Sequence, residues 1–398
     1  MRKVVAGLLA LLFAFQSTIF VSGEETEQIP EECMLSFDGV NANESVHFQT
    51  DLGPRIPGSA ASSSLRESIK SNLSGWHISE STHHSEGYIL TNLFATWNRG
   101  EGSTVILAAH YDTRHKAERD WNESRRNEPI DGANDGASGV AVLLELARLI
   151  PSMNLSHEVT LFFTDGEDQG DNHSTYVLGA KAWAENLSKE DADSIESFVL
   201  VDMVGDSHLT LSKTSPGNTT LWKRTEQIIR DIDVICGLND SSYFDFENID
   251  GIYDDHVPAH KLGIPAIDII DTRFGEGAGY LGGHWHTHND TADKVSAESL
   301  QTVGYIIEYG LKSGAWINAR LEQPLNLDSD MDGVPDAEDE CPLESGTEEN
   351  GCSVENKATG IASQDYNELI TGTLIALFTI LVCVNLLWII YADNKGEG

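Results

Sequence analysis

The chain has 398 residues, room for one large domain with appendages, and its 40% of apolar residues is ordinary for a globular core. Its charge is not ordinary: 25 Lys and Arg stand against 64 Asp and Glu, a formal net charge of -39. No basic stripe is present to neutralise phosphates, which argues against nucleic-acid binding, whereas so much acid attracts cations without dictating a fold.

At the N-terminus, Met1-Arg2-Lys3 precedes the apolar run VVAGLLALLFAF, and Val21-Ser22-Gly23 closes it before a block of glutamates. That order predicts a secretory signal over 1–23, the run being short for a membrane span. Residues 24 to about 100 read as a mixed region, with turn signals at Gly53-Pro54 and Ile56-Pro57-Gly58-Ser59. Beyond them, short apolar runs predict strands over 105–110, 159–165, 198–206 and 265–270. They alternate with an apolar-faced helix over 139–150 and a closing helix over 294–314, for which Ser296 is the expected cap. This alternation predicts an α/β domain over 24–320 with a mixed, largely parallel central sheet flanked by helices.

The remainder of the chain changes character. Over 321–353, Asp328, Asp330 and Asp332 alternate and lead into Gly333, and Asp336 and Asp339 extend the ladder of oxygen donors, a pattern for one hard cation such as Ca²⁺. An EF-hand is disfavoured, because its closing Glu would fall on Asp339 and because Pro335 and Pro342 suit no helix leaving the loop. Residues 354–368 predict a flexible linker. Leu369 to Ala392 carries no charge, is long enough to cross a bilayer, and places Trp388 and Tyr391 as interface anchors before a short tail, 393–398. Signal and span together predict an exported catalytic domain held by a single membrane helix. Cys341 and Cys352 are the predicted disulfide, while Cys33 and Cys236 can pair or stay free.

Open α/β sheets form their sites beyond the carboxyl ends of the strands. His110-Tyr111-Asp112 ends the first predicted strand, and Asp165-Gly166-Glu167-Asp168 ends the second. Asp202 lies on the third, and Asp271 follows the fourth. Asp135 stands in GANDGASG ahead of a helix, and a Gly-rich loop delivers Gly283-His284-Trp285-His286-Thr287-His288. Imidazoles and carboxylates that converge without cysteine suit Zn²⁺ with an open position. Such an ion lowers the pKa of bound water and polarises a carbonyl, and a carboxylate beside it serves as general base. Successive positions at a strand end point different ways, so Glu167 and Asp168 can divide those tasks. Spacing alone lets His284, His286 and His288 share one strand face.

His110-x-Asp112, GANDGASG, DGED, LVDMVG, DDHVPAHKLGIPAIDIID and WHTHNDTADKVSAESL, taken in order, resemble the zinc aminopeptidases of metallopeptidase clan MH, the "family 28" metallopeptidases, and the related glutaminyl cyclases. The resemblance implies a zinc-exopeptidase-like fold and zinc, as one ion or two, on His110, Asp135, Asp168, Asp202 and His286, with Asp135 bridging where two are bound. It also implies Glu167 as general base and Asp112 as the partner that orients His110. Asp168 stands where the family most often has Glu, and the segment between Asp112 and Asp135, with KAERDWNESRRNEP, is long and polar. Asp254, Asp255, His256 and Trp285 are further candidates for lining the substrate pocket. The acidic run at Asp328–Asp339 resembles a thrombospondin type 3 calcium repeat, which implies a calcium-stiffened stalk.

Two reactions fit this constellation. An aminopeptidase hydrolyses the first peptide bond of a peptide or protein; a glutaminyl cyclase closes an N-terminal glutamine and releases ammonia. The Asp-Asp-His-x-Pro, Trp-His-Thr and RIPGS (55–59) stretches look like the cyclase branch, whereas complete ligands for two ions and the GANDGASG loop are more like hydrolases. The sequence therefore favours a metallo-exopeptidase, with a cyclase second. A receptor-like ectodomain of the same fold comes third, since all five candidate ligands are retained. Oligomeric state is not legible.

Overall fold

A computed structural model describes residues 33–320, with His173 left out. The predicted signal, calcium loop, linker and membrane span lie outside the described residues, as do Cys341 and Cys352. Among the described residues no helix is long and apolar enough to cross a membrane.

Helix α1 (Gly39–Asp51) opens on Asp38, whose carboxylate accepts from the amides of Val40 and Asn41, and α2 (Ala60–Asn72) opens on Ser59 in the same manner. Strands β1 (His77–Ser85) and β2 (Tyr88–Trp97) form an antiparallel hairpin. Then come β3 (Thr104–His110), α3 (Ala137–Leu149), β4 (Glu158–Thr164), α4 (Leu178–Asn186), α5 (Lys189–Ser194) and β5 (Ile195–Asp202). The short strand β6 (Leu211–Ser215) pairs with β7 (Phe244–Gly251) across α6 (Thr219–Cys236) and α7 (Asp240–Tyr243). Helix α8 (His256–Lys261) leads to β8 (Ala266–Ile270). The two-residue strands β9 (Arg273–Phe274) and β10 (Gly282–Gly283) precede the closing helix α9 (Ala297–Ser313).

The main sheet has six strands in the order β1-β2-β4-β3-β5-β8. The last four in that order, β4, β3, β5 and β8, are mutually parallel, and β2 joins β4 antiparallel, so the sheet is mixed as expected. Successive side chains of β3 go to opposite faces. Val105, Leu107 and Ala109 share a core with residues of α1, α3, α6 and α9, while Ile106 and Ala108 share a second core with Phe162, Trp183 and Ala259. Helices on both faces bury these strands completely, which is why they read as continuous apolar runs.

Boundaries differ from expectation at informative places. The third strand stops at Asp202 rather than 206, because Met203 turns into the left-handed region at φ 48°. Helix α3 begins at Ala137, two residues after Asp135. Ser296 caps α9 by accepting from the amides of Glu298 and Ser299. Cys33 and Cys236 form a disulfide that ties the start of the described chain to the end of α6.

Candidate metal centre

The carboxyl ends of the parallel strands gather the five predicted ligands into one buried cluster. His110 Nε2 lies 3.1 Å from Asp135 Oδ1 and 3.1 Å from Asp202 Oδ1. On the other side, His286 Nε2 lies 3.1 Å from Asp168 Oδ1 and 3.6 Å from Asp135 Oδ2. Two sets able to hold a metal ion result, His110–Asp135–Asp202 and Asp135–Asp168–His286, and Asp135 belongs to both through different oxygens. His284 packs edge-on against Phe274 and His288 pairs with Asp120, so of the three neighbouring histidines His286 alone joins either set.

Glycines and buried polar side chains shape this rim. A Cβ on Gly136 would sit 2.4 Å from the His110 carbonyl oxygen and 2.6 Å from its ring, and one on Gly139 would sit 2.1 Å from the Val201 carbonyl oxygen. Only glycine lets the GANDGASG turn approach β3 and β5 so closely. Asp290 accepts from the amides of Asn134 (2.7 Å) and Asp135 (3.2 Å), fixing the turn that carries the shared ligand. Arg55, fully buried, donates to the carbonyls of Asp131 and Gly132 at the start of the same turn.

Asp112 lies on the Nδ1 side of His110 and also holds the neighbouring turn. Its carboxylate accepts from the amides of Glu167 (3.0 Å) and Asp168 (3.2 Å) and from Gln169 Nε2 (2.8 Å), whereas His110 Nδ1 is 3.6 Å away. Its hydrogen bonds therefore hold the DGED turn, and its hold on the His110 ring is electrostatic.

A cavity of about 350 Å³ opens over the cluster, lined among others by Glu167, Asp254, Tyr253, Tyr280 and Trp285. Glu167 belongs to neither ligand set. Trp285 stacks on the His286 ring, with centroids 3.7 Å apart. Asp254 and Trp285 thus line the cavity, while Asp255 and His256 do not. Asp255 accepts from Thr164 Oγ1, and His256 Nε2 lies 2.9 Å from the Pro216 carbonyl oxygen.

The cluster carries too much negative charge to be stable as ions alone. Burial, then the charges of Asp254 and Asp168, raises the Glu167 carboxyl well above its usual range. Burial, then Asp202 and Asp255, does the same to Asp254, and burial, then Asp254, to Asp268. Asp168 is raised to about 6, mainly by burial and Asp135, with His286 opposing. Burial works against protonated imidazole, yet Asp202, Asp112 and Asp135 lift His110 well above its ordinary value, and Asp168, Glu118 and Asp135 lift His286 to about 9. Asp168 Oδ2 and His110 Nδ1 are buried without a hydrogen-bond partner. A buried set of two imidazoles and three carboxylates with orphaned polar atoms fits a divalent cation such as zinc, whose charge would replace the missing positive partner.

Several residues that build the site went unread in the sequence. Asp268 had a signal, an acid inside the apolar run PAIDII. Glu118, whose Oε1 lies 2.9 Å from His286 Nδ1, and Arg114 belong to the long polar segment, where nothing in the spacing pointed to His286.

Fold and site together are those of the metal-dependent α/β enzymes that include zinc exopeptidases and glutaminyl cyclases. The model of peptidase family M28 matches residues 92–310, and the chain belongs to that family. Its relatives include peptidases and glutaminyl cyclases. Glutaminyl-peptide cyclotransferase of Bos taurus is 25% identical over 300 residues, 66% of this chain and 80% of that protein. The structure of Porphyromonas gingivalis glutaminyl cyclase matches with a TM-score of 0.64 at 29% identity, over 70% of this chain and 99% of that one. A Zn-dependent exopeptidase from Parabacteroides distasonis matches with a TM-score of 0.62 at 27% identity, over 69% of this chain and 97% of that one. Zinc is the metal that family and relatives support.

Proposed function

We propose that the protein is a glutaminyl-peptide cyclotransferase, closing an N-terminal glutamine onto its own α-amine, where the sequence by itself favoured a metallo-exopeptidase. One observation carries this reading: the three stretches that look like the cyclase branch all border the metal centre. Asp254 and Trp285 line the cavity beside Glu167, and Arg55 of the RIPGS stretch holds the turn leading to Asp135. The similarity to the Bos taurus cyclotransferase and to the Porphyromonas gingivalis enzyme, over 80% and 99% of their lengths, supports it further.

His110, Asp135, Asp168, Asp202 and His286 are the residues that would hold zinc, which when bound supplies Lewis acidity toward an amide carbonyl. Glu167 stands outside both ligand sets and faces the cavity, placed to take a proton from the substrate's α-amine as that nitrogen attacks the side-chain amide carbon. It then delivers the proton to the amide nitrogen. The new ring C–N bond forms, the old C–N bond breaks, and ammonia leaves. Burial, then the charge of Asp254, increases the proton affinity of Glu167, which favours its taking up the amine proton. Trp285, with Tyr253 and Tyr280, gives the cavity aromatic walls opposite its acidic floor.

A metallo-exopeptidase is the second reading, favoured by two complete ligand sets that share Asp135. The same experiment judges both: zinc-loaded protein is offered a glutaminyl peptide and an aminoacyl-anilide. Ammonia released with every residue of the peptide retained supports cyclisation. Anilide release contradicts it and supports hydrolysis. Neither reaction, with no tightly held metal, would leave the receptor-like ectodomain. From the signal, acidic repeat and span in the sequence we further infer an exported enzyme on a calcium-stiffened, membrane-anchored stalk. Protection of the tail, but not the catalytic domain, from external protease would support that topology.

A further inference from the structure

The polar segment after Asp112 takes no part in the chemistry above, yet it folds directly against the loop that carries His286. Glu118 Oε1 is 2.9 Å from His286 Nδ1, on the side of the ring away from Nε2, which faces Asp168 and Asp135. Arg114, almost wholly buried, grips Glu118 through Nη2 at 2.7 Å and Nε at 3.1 and 3.2 Å. Its Nη1 donates to the carbonyl oxygens of Asp168 (2.9 Å) and Gly170 (2.5 Å). One guanidinium thus connects the partner of His286 to the backbone of Asp168, the two ligands that Asp135 joins in a single set. The other set has no such frame, since His110 Nδ1 is 3.6 Å from Asp112 and makes no hydrogen bond.

A surface ion pair would be a simpler account of Glu118, whose side chain is one-third exposed. It does not explain why the arginine is buried, nor why its remaining donors go to the turn that carries a ligand. We propose that Glu118 and Arg114 are positioning residues of the metal centre. Glu118 accepts the Nδ1 proton of His286, which fixes the tautomer that leaves Nε2 free to ligate, and Arg114 keeps Glu118 and the Asp168 turn in register. Carboxylates that orient ligating histidines in this way typically change metal affinity by about 10–100-fold when removed. The inference rests on His286 being a metal ligand, not on which reaction follows.

The test uses the full chain, with zinc affinity measured by competition against a chromogenic chelator and melting followed on the zinc-free protein. Glu118→Ala should bind zinc about 10–100-fold more weakly than wild type, while its zinc-free form still folds with a melting temperature lowered by the loss of Arg114's partner. Glu118→Gln keeps an oxygen to accept from Nδ1 and should fall between the two. Asp120→Asn is the control: Asp120 lies on the same segment but pairs with His288 at 2.8 Å, so zinc affinity should stay at the wild-type value. Wild-type affinity in Glu118→Ala overturns the inference, as does an Asp120→Asn loss equal to that of Glu118→Ala. Should Glu118→Ala not fold, Glu118→Gln decides, weaker zinc supporting the inference and wild-type affinity overturning it. A wild-type chain that binds no zinc removes the metal centre and this inference together, an outcome distinct from failure of the cyclase reading.

Discussion

Glu167 and Asp168 are neighbours in sequence with different surroundings, and the distinction is testable by substitution. Glu167→Gln keeps the volume and leaves both ligand sets intact, so it should retain zinc while turnover falls by about 10²–10⁴-fold. Asp135→Ala removes an oxygen from each set and should abolish tight zinc binding, read by metal content after gel filtration. The ligands were legible because each sits at the end of an apolar strand or beside a glycine turn, in a fixed chain order. Glu118 and Arg114 were not, because their importance lies in hydrogen bonds made across 168 and 54 positions of sequence, which no local pattern encodes.

Among the elements, the central strands were legible for a physical reason: burial on both faces leaves only apolar residues. The β1–β2 hairpin was not. Strand β1, HISESTHHS, lies at the sheet edge with no fully buried residue, so it carries no apolar signal. Its two-residue turn is made by Glu86 and Gly87, both at positive φ, a weaker sequence cue than Asn-Gly. The turn before α3 offers a sharper test. Gly136→Ala places a methyl group against the His110 ring and carbonyl, which should lower the melting temperature through a cost of about 1–3 kcal/mol and weaken zinc binding. Unchanged melting and metal affinity would mean that this close approach is unimportant.

At the scale of the molecule, the acidic core makes stability depend on pH. Burial raises Asp271 to about 7 and Asp290 to about 8, against an ordinary carboxyl near 4 in the unfolded chain. Between those values the folded protein holds protons that the unfolded chain releases, so their contribution is complete below about pH 4 and is lost as pH rises through 7 to 8. Zinc-free protein should therefore melt at lower temperature at pH 8 than at pH 5, and zinc should narrow the gap. The Cys33–Cys236 disulfide closes a long loop, its ends separated by 203 in sequence, and its removal by Cys33→Ser should cost about 2–5 kcal/mol in denaturant unfolding. The most direct measurement of the whole account is anomalous diffraction at the zinc edge from crystals of the protein grown with zinc. A peak is expected between Asp135, Asp168 and His286, within ligand distance of all three side chains. Well-ordered crystals of this fold with no zinc peak at that place, or with zinc bound elsewhere, would contradict it.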